Sequence, residues 1–313
     1  MDTDEGPRSA HVSVLYQQVL SYLKPQANGL YIDGTLGAGG HAAGILQASA
    51  PSGKLLGLDV DPQALEIAKQ RLSVFSDRVV VRHASYVTLR QQMQDLGWQA
   101  VNGILLDLGA SSMQFDTVQR GFSFQTEAEL DMRFDPHNPL SAADLVNHLD
   151  EQELADIIYR YGEERRSRQI AHAIVRSRPI HTTTQLAAVV SRMTSTGKHG
   201  LHPATRTFQA LRIAVNHELE ALQEALPQAL AALAPEGRLV VISFHSLEDR
   251  IVKQFFRQES RDCLCPPQQP ICTCAHRATL RELTRRPLEA DTQEVNQNPR
   301  SRSARLRAAF KTA

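Results

Sequence analysis

The chain has 313 residues, 42% of them hydrophobic and 22% charged, proportions that exclude a disordered chain. No apolar run approaches the ~20 residues that cross a bilayer, so no membrane span is expected. Net charge is zero, with 34 basic and 34 acidic side chains, yet the charges are segregated. Residues 127–164 hold eleven Asp or Glu against two Arg, residues 165–216 hold nine Lys or Arg and no acid, and residues 299–313 add five basic groups.

In chain order, the first residues, Met1-Asp-Thr-Asp-Glu5, are acidic and polar, the opposite of a signal peptide, and a cytoplasmic protein is expected. Val12 to Leu23 is a short amphipathic segment ended by Pro25. Gly29 to Ile32 reads as a buried strand closed by Asp33. A glycine-rich turn follows, with Gly37, Gly39, Gly40 and His41, and then a helix from Ala42. Strand, glycine turn and helix N-terminus together are how α/β proteins present backbone N–H groups to a nucleotide-like ligand. The spacing also satisfies a dinucleotide fingerprint. Asp33 argues against a pyrophosphate at the mouth of the turn, because a carboxylate repels it and suits a cationic ligand such as S-adenosylmethionine (SAM). The next strand, Lys54 to Asp59, ends in an acid twenty residues after Gly39, the distance of a ribose-binding carboxylate in either ligand class.

Asp61-Pro62 is an N-cap followed by proline at the first helical position, opening a helix through Leu72. A third strand over Arg78–Arg82 leads to Tyr86, an aromatic placed either to stack on an adenine or to pack in the core. Leu89 to Leu96 is helical and is stopped by Gly97. The fourth strand, Val101 to Asp107, again closes in an acid. Three acids ending three strands define a crevice at the C-terminal edge of a doubly wound, mostly parallel sheet.

Strand patterns then cease. Residues 121–216 are expected to form an inserted all-helical domain, with capping boxes at Ser141–Asp144 and Thr182–Gln185. Residues 1–120 and 217–313 are expected to form the sheet domain. The insertion carries the acid-free tract, and two basic tracts in a neutral chain point to a polyanion, with Arg165, Arg166, Arg168, Arg206 and Arg212 as phosphate-positioning candidates. The sheet resumes with a fifth strand over Arg238–Ser243, followed by His245, which is either a catalytic base or a structural histidine at a turn. Cys263-x-Cys265 and Cys272-x-Cys274 are the only cysteines. They suit either a structural zinc or a reduced, mobile loop, since structural sites normally space thiols two to four residues apart. The segment from Asn298 to Phe310 alternates well enough for a last strand with arginines on one face.

Five stretches resemble the ribosomal RNA small-subunit methyltransferase H (MraW-like) family: Tyr31–His41, Ile104–Ser112, His202–Arg212, Ile242–Arg250 and Asn298–Arg302. The resemblance runs from about Val12 to the C-terminus. It implies a class I SAM-dependent methyltransferase that methylates the exocyclic N4 of a cytosine in the decoding region of 16S ribosomal RNA, with the RNA or the small ribosomal subunit as partner. It assigns Gly39, Gly40 and His41 to the cofactor loop, Asp59 to the ribose and Tyr86 to the adenine, with Asp107 and Gln114 completing the contacts; Asp33, read from its charge alone, is the candidate for the cationic end. Tyr86 and Met113 depart from the family's Phe and Pro. Asp107 and His245 are the two candidates for accepting the proton. Oligomeric state stays open, a homodimer included. A nicotinamide-dependent dehydrogenase and a non-catalytic RNA-binding assembly factor are the alternatives; NAD binding would mark the first and absence of turnover the second.

Overall fold

The computed structural model describes residues 13–193, 202–266, 268–269 and 271–312. Val12 and His199 lie outside the described residues. The chain divides into two compact units, one running to Gly109 and resuming at Leu222, the other spanning Ala110–Ala221.

The first unit is a sheet with helices on both faces. In chain order its elements are α1 (Tyr16–Leu23), β1 (Leu30–Asp33), α2 (Gly40–Ala48), β2 (Lys54–Asp59), α3 (Pro62–Leu72), β3 (Val79–His83), α4 (Leu89–Gln94) and β4 (Val101–Asp107). The second unit is helical: α5 (Ser112–Asp116), α6 (Ala142–His148), α7 (Glu151–Gly162), α8 (Ser167–Arg176), α9 (Thr183–Met193) and α10 (Thr205–Asn216). The chain leaves it along α11 (Glu218–Ala232) and completes the sheet unit with β5 (Leu233–Ser243), α12 (Ser246–Glu259), β6 (Leu280–Glu282), β7 (Leu288–Glu289), α13 (Thr292–Gln297) and β8 (Arg305–Lys311). No helix among the described residues is long and apolar enough to cross a membrane.

The strand order is β3-β2-β1-β4-β5-β8-β6, with β7 also on β8. The first five strands are parallel and β8 runs antiparallel between β5 and β6. Because successive strand residues face opposite sides, the buried runs divide between two cores. Ile32, Leu56, Ile104 and Val241 pack with α4, α11 and α12. Tyr31, Leu55, Leu105, Val240 and Ile242 pack with α1, α2 and α3. Both faces are covered, as a parallel sheet requires. The fifth strand, expected to begin at Arg238, begins at Leu233, and Pro235-Glu-Gly237 lies inside it, where the register on β4 jumps from Val101↔Leu233 to Gly103↔Arg238. That segment is a bulge in a longer strand.

Local signals are met closely. Asp61 accepts from the Gln63 N–H at 3.0 Å with Pro62 at the first helical position, and Ser141 and Asp144 close both arms of their capping box. Asp61→Ala is expected to cost about 1 kcal/mol in chemical denaturation. A loss below a few tenths would mean that packing of α3 alone sets its start.

In β8, Arg305 and Arg307 do share a face. Arg307 is buried and bonds Asp249 of α12 in a two-pronged pair at 2.6 and 3.1 Å, while Arg305 reaches the same carboxylate at 3.7 Å. Lys311 donates to the Leu233 carbonyl. Arg307 and Lys311 are therefore held within the sheet unit, while Arg302 and Arg305 of the same basic tract stay exposed.

Candidate active site

The site is built where β1, β2 and β4 end. The backbone after β1 is held by both neighbours: Gly34 N–H donates to the Leu105 carbonyl at 2.9 Å and Leu36 N–H to the Leu58 carbonyl at 2.9 Å. Gly37 has φ +50, and a Cβ there would meet only the Thr35 carbonyl at 4.0 Å, so this glycine faces open space. Its N–H donates to Asp59 Oδ2 at 2.7 Å. Gly39 and Gly40 serve differently. Gly39 has φ +77, and its missing Cβ makes room for Leu72 and Ala68 of α3, while that of Gly40 makes room for the Ser13 hydroxyl. These two glycines are required by the left-handed turn and by close packing. What they leave for a ligand is backbone, since Gly39 caps α2 with no side-chain hydrogen bond and the first-turn N–H groups carry the positive end of the helix dipole.

Three acids and one histidine meet here. Asp33 is 1% exposed and accepts from the Thr35 N–H at 3.2 Å. Burial pushes its pKa up to about 7, against the opposing pull of His41 and with a smaller push from Asp107 and Asp59. Asp59 is half-buried; both oxygens accept backbone N–H groups, from Gly37 and from Asp61. Its pKa is also raised, by burial first, with those two hydrogen bonds opposing. Each of its oxygens keeps a second lone pair for a hydroxyl. Asp107 has its N–H fixed by Thr35 Oγ1 at 2.6 Å, while its Oδ1 is buried with no hydrogen-bond partner.

His41, in the first turn of α2, is 5% exposed, and neither ring nitrogen has a hydrogen-bond partner. Its Nε2 lies 3.6 Å from Asp107 Oδ2, and its ring stacks on Tyr16 at 6.1 Å. Buried polar atoms left unpartnered are costly and uncommon. Here they converge beside Asp33, in the one region of the sheet where ligands of such folds bind. Thr35 and Tyr16 were not singled out from sequence. A threonine directly after the strand-closing acid is the signal that could have found the first; nothing local marks the second.

Tyr86 is half-buried just after β3 and packs against the apolar core, with its Cβ against Gly34. It is thus a wall of the turn itself. His245 is occupied otherwise. It is the N-cap of α12: its Nδ1 accepts from the Glu248 N–H at 3.4 Å, and the Glu248 carboxylate accepts from the Phe244 and His245 N–H groups. Its Nε2 stands 3.2 Å from Glu248 Oε1, off hydrogen-bonding alignment. Gln114 belongs to the helical unit, where its Oε1 accepts from the Ser111 N–H at 2.9 Å in a capping box.

The helical unit rearranges the charge tracts. Acidic α7 packs on basic α8, and His172 reaches Glu151 at 3.1 Å. Arg206 lies 3.6 Å from Glu164. Arg212 forms a two-pronged, largely buried pair with Glu218 at 2.8 and 3.0 Å, which removes it from the phosphate-binding candidates. Arg166 is exposed but donates to the Met193 carbonyl. Arg165, Arg168 and Arg176 are exposed, and no ion pair involves them among the described residues. Arg168 and Arg176 are eight residues apart on α8, hence on one face.

Known proteins resemble this chain along almost its whole length. The sequence profile of the MraW methylase family matches residues 8–312. The ribosomal RNA small subunit methyltransferase H of Thermomicrobium roseum is 52% identical over 313 residues, covering 99% of this chain and 96% of its own. That of Dehalococcoides mccartyi is 51% identical over 300 residues, covering 96% and 86%. A solved rRNA methylase from Streptococcus thermophilus covers 97% of this chain and 100% of its own, with a TM-score of 0.46 and 11% identity, a likeness too slight to argue from. The mostly parallel sheet, with β8 running antiparallel within it, is the doubly wound α/β fold expected from the sequence. With a family profile spanning almost the whole chain and relatives at half identity over nearly their full length, this protein is a member of the MraW methylase family.

Proposed function

We propose that the chain is a SAM-dependent methyltransferase that modifies the exocyclic N4 of a cytosine in the decoding region of 16S ribosomal RNA, and that it acts in the cytoplasm on the RNA or the small subunit. The observation that carries this reading is the group of buried Asp33, buried His41 and half-buried Asp107 at the C-terminal edge of β1 and β4, in which both His41 ring nitrogens and Asp107 Oδ1 have no hydrogen-bond partner. The names of the half-identical relatives supply the substrate class.

The residues present fit the methyl donor. Gly37 leaves open space at the turn, the buried Asp33 carboxyl suits a cation, and Asp59 has lone pairs for ribose hydroxyls. In this reading Asp33 takes the donor's ammonium end, Asp59 the ribose, Tyr86 the adenine side, and the N–H groups of Gly39, Gly40 and His41 line the turn. Gln114 completes the contacts as the resemblance implies. When bound, the donor supplies a methyl group already activated on a sulfonium. The remaining tasks are alignment and exclusion of water.

Cytosine's amino nitrogen is a poor nucleophile because its lone pair is delocalised into the ring. Asp107 Oδ1, lacking a partner, can accept an amino N–H, return electron density to nitrogen and take the proton as transfer proceeds. His41 steers that carboxylate through its other oxygen. His245 acts as a positioning residue: with Nδ1 accepting a helix N–H, its proton sits on Nε2 toward Glu248, and no lone pair is left for substrate.

A base must be single-stranded or unstacked to reach such a site, and Arg165, Arg168 and Arg176 are proposed to hold flanking phosphates. Replacing all three by Gln is expected to weaken RNA binding by about tenfold or more at low salt. It should also flatten the slope of log affinity against log salt by roughly two to three, following counterion release. An unchanged slope would place the RNA elsewhere. The test of the whole reading is mass mapping of 16S RNA after incubating unmethylated small subunits with the chain and labelled donor. One added methyl on a decoding-region cytosine supports it; label on another base or position removes the N4-cytosine assignment, and no label removes the enzyme.

A further inference from the structure

The four cysteines lie between α12 and β6, and the methyltransferase reading makes no use of them. The geometry points to a structural zinc ion bound by Cys263, Cys265, Cys272 and Cys274. All four Sγ atoms lie within 4.8 Å of one another. The Sγ–Sγ separations are 3.5 Å for Cys263–Cys272, 3.6 Å for Cys272–Cys274 and 3.9 Å for Cys263–Cys274. A tetrahedral site with zinc–sulfur bonds of about 2.3 Å sets neighbouring sulfurs about 3.8 Å apart. A disulfide needs about 2.05 Å, and none of these sulfur pairs is that close; all four thiols are free.

Backbone donors surround the thiols as well. Leu264 N–H reaches Cys274 Sγ at 3.3 Å, Cys265 N–H reaches Cys263 Sγ at 3.4 Å and Thr273 N–H reaches Cys265 Sγ at 3.4 Å. Such donors stabilise sulfur carrying negative charge, which is the ligand form. The bond from Cys265 N–H back to Cys263 Sγ also answers the objection from spacing, because it curls the chain around the first sulfur and brings the second thiol to the same side.

Burial cannot hold this segment. Its large apolar side chains, Leu264 and Ile271, are 39% and 75% exposed. A loop with no interior of its own is where a metal supplies folding energy outright. Its ends are pinned where Thr279 N–H meets the Glu259 carbonyl at 2.8 Å and Thr279 Oγ1 meets the Glu259 carboxylate at 2.7 Å. The zinc then closes the loop tip.

The test is metal analysis of the full chain purified without chelators, together with replacement of the bound metal by cobalt. Expected are about one zinc per chain and, with cobalt, visible bands of tetrahedral geometry with thiolate charge-transfer absorption. The double variant Cys263→Ser/Cys272→Ser should lose the metal and become open to proteolysis between residues 260 and 279, while donor binding stays within about twofold. Less than a tenth of a zinc per chain with four titratable thiols would overturn the proposal, as would iron in its place or disulfides found by mass spectrometry. Cobalt substitution of the unaltered chain keeps the proposal falsifiable if the double variant does not fold.

Discussion

Asp33→Asn is expected to make the ligand-free protein more stable and nearly unable to bind SAM. Asp33 is raised from 3.8 to about 7, with burial the first cause. A carboxyl whose folded pKa is raised favours the protonated native state. That contribution is fully present below about pH 4 and is lost as pH rises through about 7. At pH 8 the ionised group therefore carries a penalty of order 4 kcal/mol at most, and an uncharged Asn, which can still accept from the Thr35 N–H, should recover about 1–3 kcal/mol of it. The melting temperature of the variant should exceed the wild type's at pH 8 and converge with it as pH falls toward 4. Binding should move the other way. Removing the partner of a buried ammonium costs about 2–5 kcal/mol, or roughly thirtyfold to several-thousandfold in affinity. Wild-type affinity should fall toward tenfold per pH unit below 7 while the variant's stays flat. A variant that binds the donor normally would remove Asp33 from the pocket.

Asp107→Asn is expected to lower the transfer rate by about 10² to 10⁴, the range for losing a positioned general base, with donor affinity changed less than about tenfold. The substitution keeps the shape and the N–H bond to Thr35 Oγ1 but gives up the oxygen that could take a proton. Single-turnover rates with saturating donor separate the two effects. His41→Ala should cost the rate less, since His41 steers the carboxylate without taking the proton. A rate within tenfold of wild type for Asp107→Asn would move the acceptor elsewhere.

The sheet and its mouth were legible because they are written locally. The three strand-closing acids, the Asp61-Pro62 cap and the Ser141 capping box each depend on a few adjacent residues. The helices of the insertion were legible for the same reason. What failed to show were pairings across distance. Arg307 finds Asp249 58 residues away, and acidic α7 folds onto basic α8, so charge that is segregated along the chain is partly interleaved in space. Strands β6 and β7, of three and two residues, are too short for a periodic signal and exist because β8 offers them an edge. His245 was ambiguous for a different reason. A histidine that caps a helix and one that moves protons look alike in sequence, and the structure adds that this one accepts the Glu248 N–H at Nδ1. Gly39 and Gly40 carry a related lesson, since a glycine-rich turn marks the right place but does not say which glycine makes room for a ligand and which for a neighbouring helix.

The most direct test of a cationic-donor pocket at the ends of β1, β2 and β4 is a calorimetric titration of the purified chain with SAM, repeated with NAD. One SAM site per chain is expected, with affinity rising from pH 6 to pH 8 and proton release detected across buffers of different ionisation heat, while NAD gives no heat. Binding of NAD in place of SAM, or SAM binding with no pH dependence across that range, would contradict it.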